Sequence, residues 1–285
     1  MSIRFANSED FMQIQSLWKI SFPEDPAFND WFFKNIYRDE NTLVHVVGNQ
    51  VCAMLQMYPY YLTMDEFALP VQYIYGVCTH PDFRKQGLMA QLLHFAWEIG
   101  KENGQSASVL IPQENWLFDI YGKFGYRCGF FLEKIDLDVA RKPWEDCLIV
   151  EAAEEDIDQM SSIYKQQTSA QPGVMLRSRD DWTKQMRLYR AMGGHVYCLK
   201  RNESCYAYGF VSFSDEILTI QEGFGLSREA LLTLAEQAAK KENKQDVMIL
   251  TSYHHQGNRI PFGCIKFFDD QYQGDFSGYM NLMFN

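Results

Sequence analysis

The chain has 285 residues, 47% hydrophobic and 22% charged, a composition for a packed core of one large or two ordinary domains and against disorder. Its formal net charge of −11 argues against a nucleic-acid partner, and no stretch approaches the ~18 apolar residues of a membrane helix. The seven cysteines are scattered with no Cys-x-x-Cys, so free thiols in a reducing cytoplasm are expected, without a disulfide framework or a metal site.

Residues 3–18 read IRFANSEDFMQIQSLW: a short strand, an acidic helix start and an amphipathic helix, without the apolar run of a signal peptide. The aromatic cluster Trp31, Phe32 and Phe33 and the Met-rich stretch 54–61 read first as core, and second as the lining of an acceptor channel. Residues 72–79 are aromatic and β-branched, as a buried strand should be, and His80-Pro81-Asp82 breaks that strand. From Leu88 the apolar residues recur at Leu92, Leu93, Ala96 and Ile99, which is helical spacing. Between strand and helix stand Arg84, Lys85 and Gly87. A helix N-terminus carries free amides and partial positive charge, glycine allows close approach, and two cations add to the field. The combination suits a pyrophosphate.

Val109-Leu110-Ile111-Pro112 is a short apolar strand. It is followed by Glu114 and Asn115, a helical stretch, and then Tyr121-Gly122-Lys123-Phe124-Gly125-Tyr126. By these two segments, in this order and spacing, residues 76–126 resemble the GCN5-related N-acetyltransferases, the GNAT family. Arg84-Lys85-Gln86-Gly87-Leu88-Met89 matches that family's Arg/Gln-x-x-Gly-x-Gly/Ala loop, with Met89 in place of the small last residue.

The resemblance implies an acyl-CoA site. Arg84, Lys85, Gln86, Gly87, Leu88 and Met89 would hold the pyrophosphate. Val77, Cys78, Thr79 and Asn115 would hold the pantetheine arm, and Tyr121 would stand beside the sulfur as general acid. The base is left open between water, Glu114 and the carboxylate of Asn285, with water ranked first. Cys78, next to bulky Val77, reads as core rather than as an acyl-carrying nucleophile. His254 and His255 read as a surface pair rather than metal ligands, because adjacent side chains point apart.

The second half repeats the first. Residues 149–164 read IVEAAEEDIDQMSSIY and match 3–18 without gaps at Ile3/Ile149, Ala6/Ala152, Glu9/Glu155, Asp10/Asp156, Gln13/Gln159 and Ser16/Ser162. Leu92, Leu93, Ala96 and Lys101 parallel Leu231, Leu232, Ala235 and Lys240, and 109–111 parallels 247–250. A period of about half the chain means duplication of a whole domain. The boundary is placed in the polar stretch 141–146, giving a catalytic domain 1–142 and a degenerate domain 143–285. In the second copy, 221–227 replaces the cationic loop, with Glu222 set to repel a pyrophosphate and Gly223 and Gly225 reading as a turn. The end, 278–284, reads as a last strand with Met280, Leu282 and Phe284 facing a core.

The expected fold is α/β (α+β): two GNAT-like domains, each a mixed central sheet flanked by helices, the second degenerate. The arrangement resembles the Eis-like acetyltransferases without their C-terminal sterol-carrier-like domain. The expected function is acetyl transfer from acetyl-CoA, without metal, to a primary amine of a small molecule or peptide, with the acidic field favouring a cationic one. A membrane partner is not expected, and the oligomeric state is left open. The alternatives are a non-catalytic acyl-CoA-binding regulator and a tRNA-dependent aminoacyl transferase built from paired GNAT-like halves.

Overall fold

The structure is a computed structural model that describes residues 2–23, 26–64, 67–138, 146–214, 217–252, 258–269, 272 and 275–284. The first half runs β1 (Ser2–Phe5), α1 (Phe11–Ser21), α2 (Pro26–Asn35), β2 (Thr42–Val47), β3 (Gln50–Met64), β4 (Phe67–Thr79), α3 (Leu88–Glu102), β5 (Ala107–Leu110), α4 (Asn115–Gly122) and β6 (Arg127–Asp138). The second runs β7 (Leu148–Glu151), α5 (Ile157–Thr168), α6 (Arg179–Ala191), β8 (His195–Arg201), β9 (Ser204–Phe213), β10 (Ile217–Gly225), α7 (Arg228–Lys241), β11 (Asp246–Ser252) and β12 (Asn258–Phe267). Apart from α4, which has no counterpart among the described residues, the second series repeats the first. The matched helix starts, 88–101 with 228–240, and the matched strands, β5 with β11, fall where the sequence repeat puts them.

The compact units cut the chain elsewhere. One is Met1–Gly129 with Gly263–Phe276, and the other is Phe130–Phe262 with Ser277–Asn285. In the first, the sheet order is β1-β2-β3-β4-β5-β12; in the second it is β6-β11-β10-β9-β8-β7. Each half has therefore given its closing strand to the other half's sheet. β6 pairs antiparallel with β11, from Ser252↔Leu132 to Asp246↔Asp138, and β12 pairs antiparallel with β5. This exchange is why the compact boundary falls at Gly129 rather than near residue 142. Residues 141–145, where the sequence places the boundary, lie outside the described residues, as do His254, His255 and Asn285.

In the first unit, α3 buries Leu88, Leu92, Leu93, Ala96 and Trp97 against Ala53, Leu55, Met57 and Ile74 of β3 and β4. On the other face of those strands, Trp18 of α1 stacks on Phe32 of α2 at 4.7 Å, with Tyr75 at 5.7 Å. Phe32 and Phe33 are thus core, as their apolar character predicts. In the second unit α7 buries an alanine- and leucine-rich face, including Leu231, Leu234, Ala235 and Ala238, against β8 to β11.

The chain end departs from expectation. Residues 279–284 are all buried, so burial does not alternate, and the segment makes only isolated bridges at Phe130↔Gly278 and Val174↔Tyr279. Leu282 and Phe284 take φ of 51° and 66°, which a strand does not contain. The segment is an irregular plug in the second unit's core, held by polar partners: Tyr279 Oη donates to Glu222 at 2.7 Å, and Arg177 donates to the Asn281 carbonyl at 2.7 Å.

Candidate functional site

The site begins with a fault in β4. Cys78 pairs with Met54 and Tyr75 with Gln56, so Gly76 and Val77 share one position opposite Leu55. This is a β-bulge, and it requires glycine. Gly76 has φ of +57°, and a Cβ there would lie 2.2 Å from Gln56 Oε1 and 2.4 Å from the Trp18 ring. β4 pairs with β5 in parallel only from Val71↔Ala107 to Tyr73↔Val109. Beyond Tyr73 no strand among the described residues covers that edge of β4. Main-chain groups of Val77, Cys78 and Thr79 are left at an open edge.

The open edge leads into the connection 80–87. His80 N–H bonds the Cys52 carbonyl at 2.8 Å, Pro81–Phe83 makes a 3-10 turn, and Arg84 Nε donates to the Thr79 carbonyl at 3.2 Å. Lys85 has φ of 63° and Gly87 φ of 77°, and Gly87 is the N-cap of α3. No side chain caps this helix, and its first turn holds no acid. The amides of Leu88, Met89 and Ala90 have no acceptor within the helix. Arg84, Lys85, Gln86 and Gly87 are exposed beside them. The result is a set of donors with positive charge, and the one acid of the connection, Asp82, lies beside His80 at 3.8 Å.

α4 follows β5 after the connection 111–114. Asn115 is its exposed first residue, following Glu114 at the N-cap. Tyr121 is buried and packs edge-on to Tyr126 at 5.8 Å. Tyr126 fixes that corner: its hydroxyl shares a hydrogen bond with Ser108 Oγ of β5 at 2.6 Å and accepts from Trp97 Nε1 of α3 at 3.2 Å. Burial, then Tyr126 and Cys264, push the Tyr121 phenol above the ordinary tyrosine range, so it keeps its proton at neutral pH.

The structure therefore brings Val77, Cys78, Thr79, Arg84, Lys85, Gln86, Gly87, Leu88 and Met89 onto one continuous strand, turn and helix start. The side chains of Leu88 and Cys78 are buried, and Met89 is packed against the same core, so these three can offer only main-chain groups. Burial pushes the Cys78 thiol up to about 12, which disfavours a thiolate and supports its reading as core. Sequence reasoning passed over Gln56, whose signal was a lone amide in the apolar run VCAMLQMY.

Two expectations for the second unit are corrected. Gln221, Glu222, Gly223 and Gly225 lie within β10 and form no turn. The Glu222 carboxylate does not face a phosphate position. It is fully buried and receives both Arg177 η nitrogens at 2.6 and 2.7 Å, Tyr208 Oη at 3.0 Å and Tyr279 Oη at 2.7 Å. Among the described residues no group of three or more metal-ligating side chains occurs, and no helix is long and apolar enough to cross a membrane.

Residues 2–129 match the family model described as an acetyltransferase (GNAT) domain. No curated protein sequence matches the chain. Among solved structures, a GCN5-related N-acetyltransferase from Anabaena variabilis superposes with a TM-score of 0.74 at 16% identity, over 94% of this chain and 73% of that one. Eis1 from Mycobacterium abscessus gives 0.68 at 13% identity, over 94% and 74%. A Saccharomyces cerevisiae N-myristoyltransferase with bound myristoyl-CoA gives 0.63 at 10% identity, over 98% and 81%. At these identities the structures speak for the fold. The family model adds what the structures cannot: residues 2–129 match a GNAT acetyltransferase domain.

Proposed function

We propose that the first unit transfers an acetyl group from acetyl-CoA to a primary amine of a small molecule or peptide in the cytoplasm, without a metal. The observation that carries this reading is the open edge of β4 running into an uncapped, cation-flanked helix start. The strand edge suits the amide-rich pantetheine arm, and the helix start suits the pyrophosphate. Val77, Cys78 and Thr79 bind the arm through main-chain groups, with Asn115 on the far side. Arg84, Lys85, Gln86, Gly87 and the amides of Leu88 and Met89 bind the pyrophosphate.

In the transfer the amine nitrogen bonds to the thioester carbon, and the carbon–sulfur bond breaks. A β4 amide holds the developing oxyanion, a fixed dipole that need not reorganise. One proton leaves the amine to water, and Tyr121, which burial keeps protonated, gives one to the departing sulfur. Glu114 is exposed and remains the second choice for the base. Holding amine and thioester together supplies much of the rate.

The repeat supports the duplication of 1–142 as 143–285, with one cofactor site per chain. The test is acetyl-CoA binding by calorimetry, followed by an amine screen with mass readout. Acetyl-CoA bound without transfer to any amine would leave a regulator, and a tRNA requirement would point to aminoacyl transfer.

A further inference from the structure

The face of β3 and β4 turned toward α1 and α2 is a wall of phenols. Gln56 stands opposite Tyr75, Tyr58 opposite Tyr73 and Tyr60 opposite Val71, and residues directly opposed in an antiparallel pair share a face. Tyr73 stacks with Tyr75 at 5.8 Å and meets Tyr60 edge-on at 6.2 Å. The wall adjoins the open edge, since Tyr75 immediately precedes the Gly76 bulge. Burial first, then the phenols of Tyr75, Tyr60, Tyr58 and Tyr121, push Tyr73 well above the ordinary tyrosine range. Tyr60, Tyr75 and Val77 are partly exposed, so the wall is reachable.

Two features of this wall bear on what it can hold. Its polar groups, among the described residues, are one amide and four phenols, and none is a carboxylate. Gln56 is fully buried, and neither its Oε1 nor its Nε2 has a hydrogen-bond partner. A buried amide left unpaired gives up its hydration with nothing in return, and such orphans call for a ligand or another explanation.

The geometry points to an acceptor that is a primary amine on an aromatic body, its neutral polar group meeting the Gln56 amide, rather than a polycation. This rests on the acyl-transfer reading above and narrows the cationic acceptor that net charge favours to one carrying a single amine. Aromatic faces stack on an aryl ring, whereas several ammonium groups would enter without a single carboxylate to pair them.

The test is calorimetry with CoA present, using 2-phenylethylamine, phenylalanine amide and spermidine as probes. Both aryl amines should bind at least tenfold more tightly than spermidine. Tyr75→Ala should weaken both aryl amines at least tenfold with acetyl-CoA affinity unchanged. Gln56→Leu removes the orphan amide and should keep the fold, while weakening phenylalanine amide and sparing 2-phenylethylamine. Tighter binding of spermidine, or aryl-amine affinities indifferent to Tyr75→Ala, overturns the inference and leaves the acyl-transfer reading standing. Aryl amines that bind as expected but are never acetylated sink the reaction and leave the wall.

Discussion

α3 and α7 occupy the same place in the two element series, yet they begin in opposite ways. α3 follows the long connection 80–87, starts at a glycine in the left-handed region, has no cap and no acid in its first turn, and has Arg84 and Lys85 beside it. α7 follows β10 after only Leu226 and Ser227, the Ser227 hydroxyl accepts from Ala230 N–H at 3.2 Å, and Glu229 sits in the first turn. One helix start is completed by its own residues. The other is left as a donor set for an external anion. The bulged strands differ in the same sense. β4 has Gly76 beside an unpaired Gln56 of β3, whereas β10 has Glu222 locked to Arg177, Tyr208 and Tyr279. The second unit has satisfied internally the groups that the first leaves open.

That contrast can be broken most strongly at Arg177. It is sandwiched by Tyr164 at 4.6 Å and Trp182 at 5.1 Å and pairs with a fully buried carboxylate. Arg177→Ala leaves Glu222 as an uncompensated buried charge and should destabilise the protein by about 3–5 kcal/mol in urea unfolding. The double replacement Arg177→Met with Glu222→Leu should recover much of that loss. A single variant of near-normal stability would show that the pair is not part of the closed second core.

On the open side, Tyr121→Phe keeps the ring and removes the hydroxyl. Turnover should fall by roughly 10²–10⁴ with acetyl-CoA affinity little changed. Turnover near normal on a good acceptor would reduce Tyr121 to packing. Ser227→Ala uncaps α7 and should cost about 1 kcal/mol of stability, yet it should not create acetyl-CoA binding, because the cations and the long connection are missing. The pH profile gives the smallest signal. The Tyr121 phenol is raised, so the acid form persists upward through neutrality. Turnover should rise as the acceptor amine deprotonates and show no loss of acid below about pH 10, the ordinary tyrosine value. A falling limb in that range would place the proton on another group.

Much of this was readable from residues alone where local chemistry decides. The aromatic run 72–79, the break at His80-Pro81 and the helical spacing from Leu88 became β4, a 3-10 turn and α3, because each signal acts within a few residues. The repeat at Ile149 marked β7 and α5 for the same reason. The exchange of β6 and β12 left no local trace. FFLEKIDL and RIPFGCIKF would each suit either sheet, and only tertiary packing assigns them. Glu222 was misread because its partner, Arg177, lies 45 positions away. At the chain end Met280, Leu282 and Phe284 alternate as in a strand, but Tyr279, Asn281 and Met283 between them are buried as well, which only the surrounding core decides.

Calorimetric titration of acetyl-CoA into the wild-type chain and into Arg84→Ala tests the central claim most directly. The account predicts one site per wild-type chain, weakened by about 1.5–3 kcal/mol in the variant, the range for a charge-assisted hydrogen bond. Two sites per chain, or an affinity indifferent to Arg84→Ala, would contradict it.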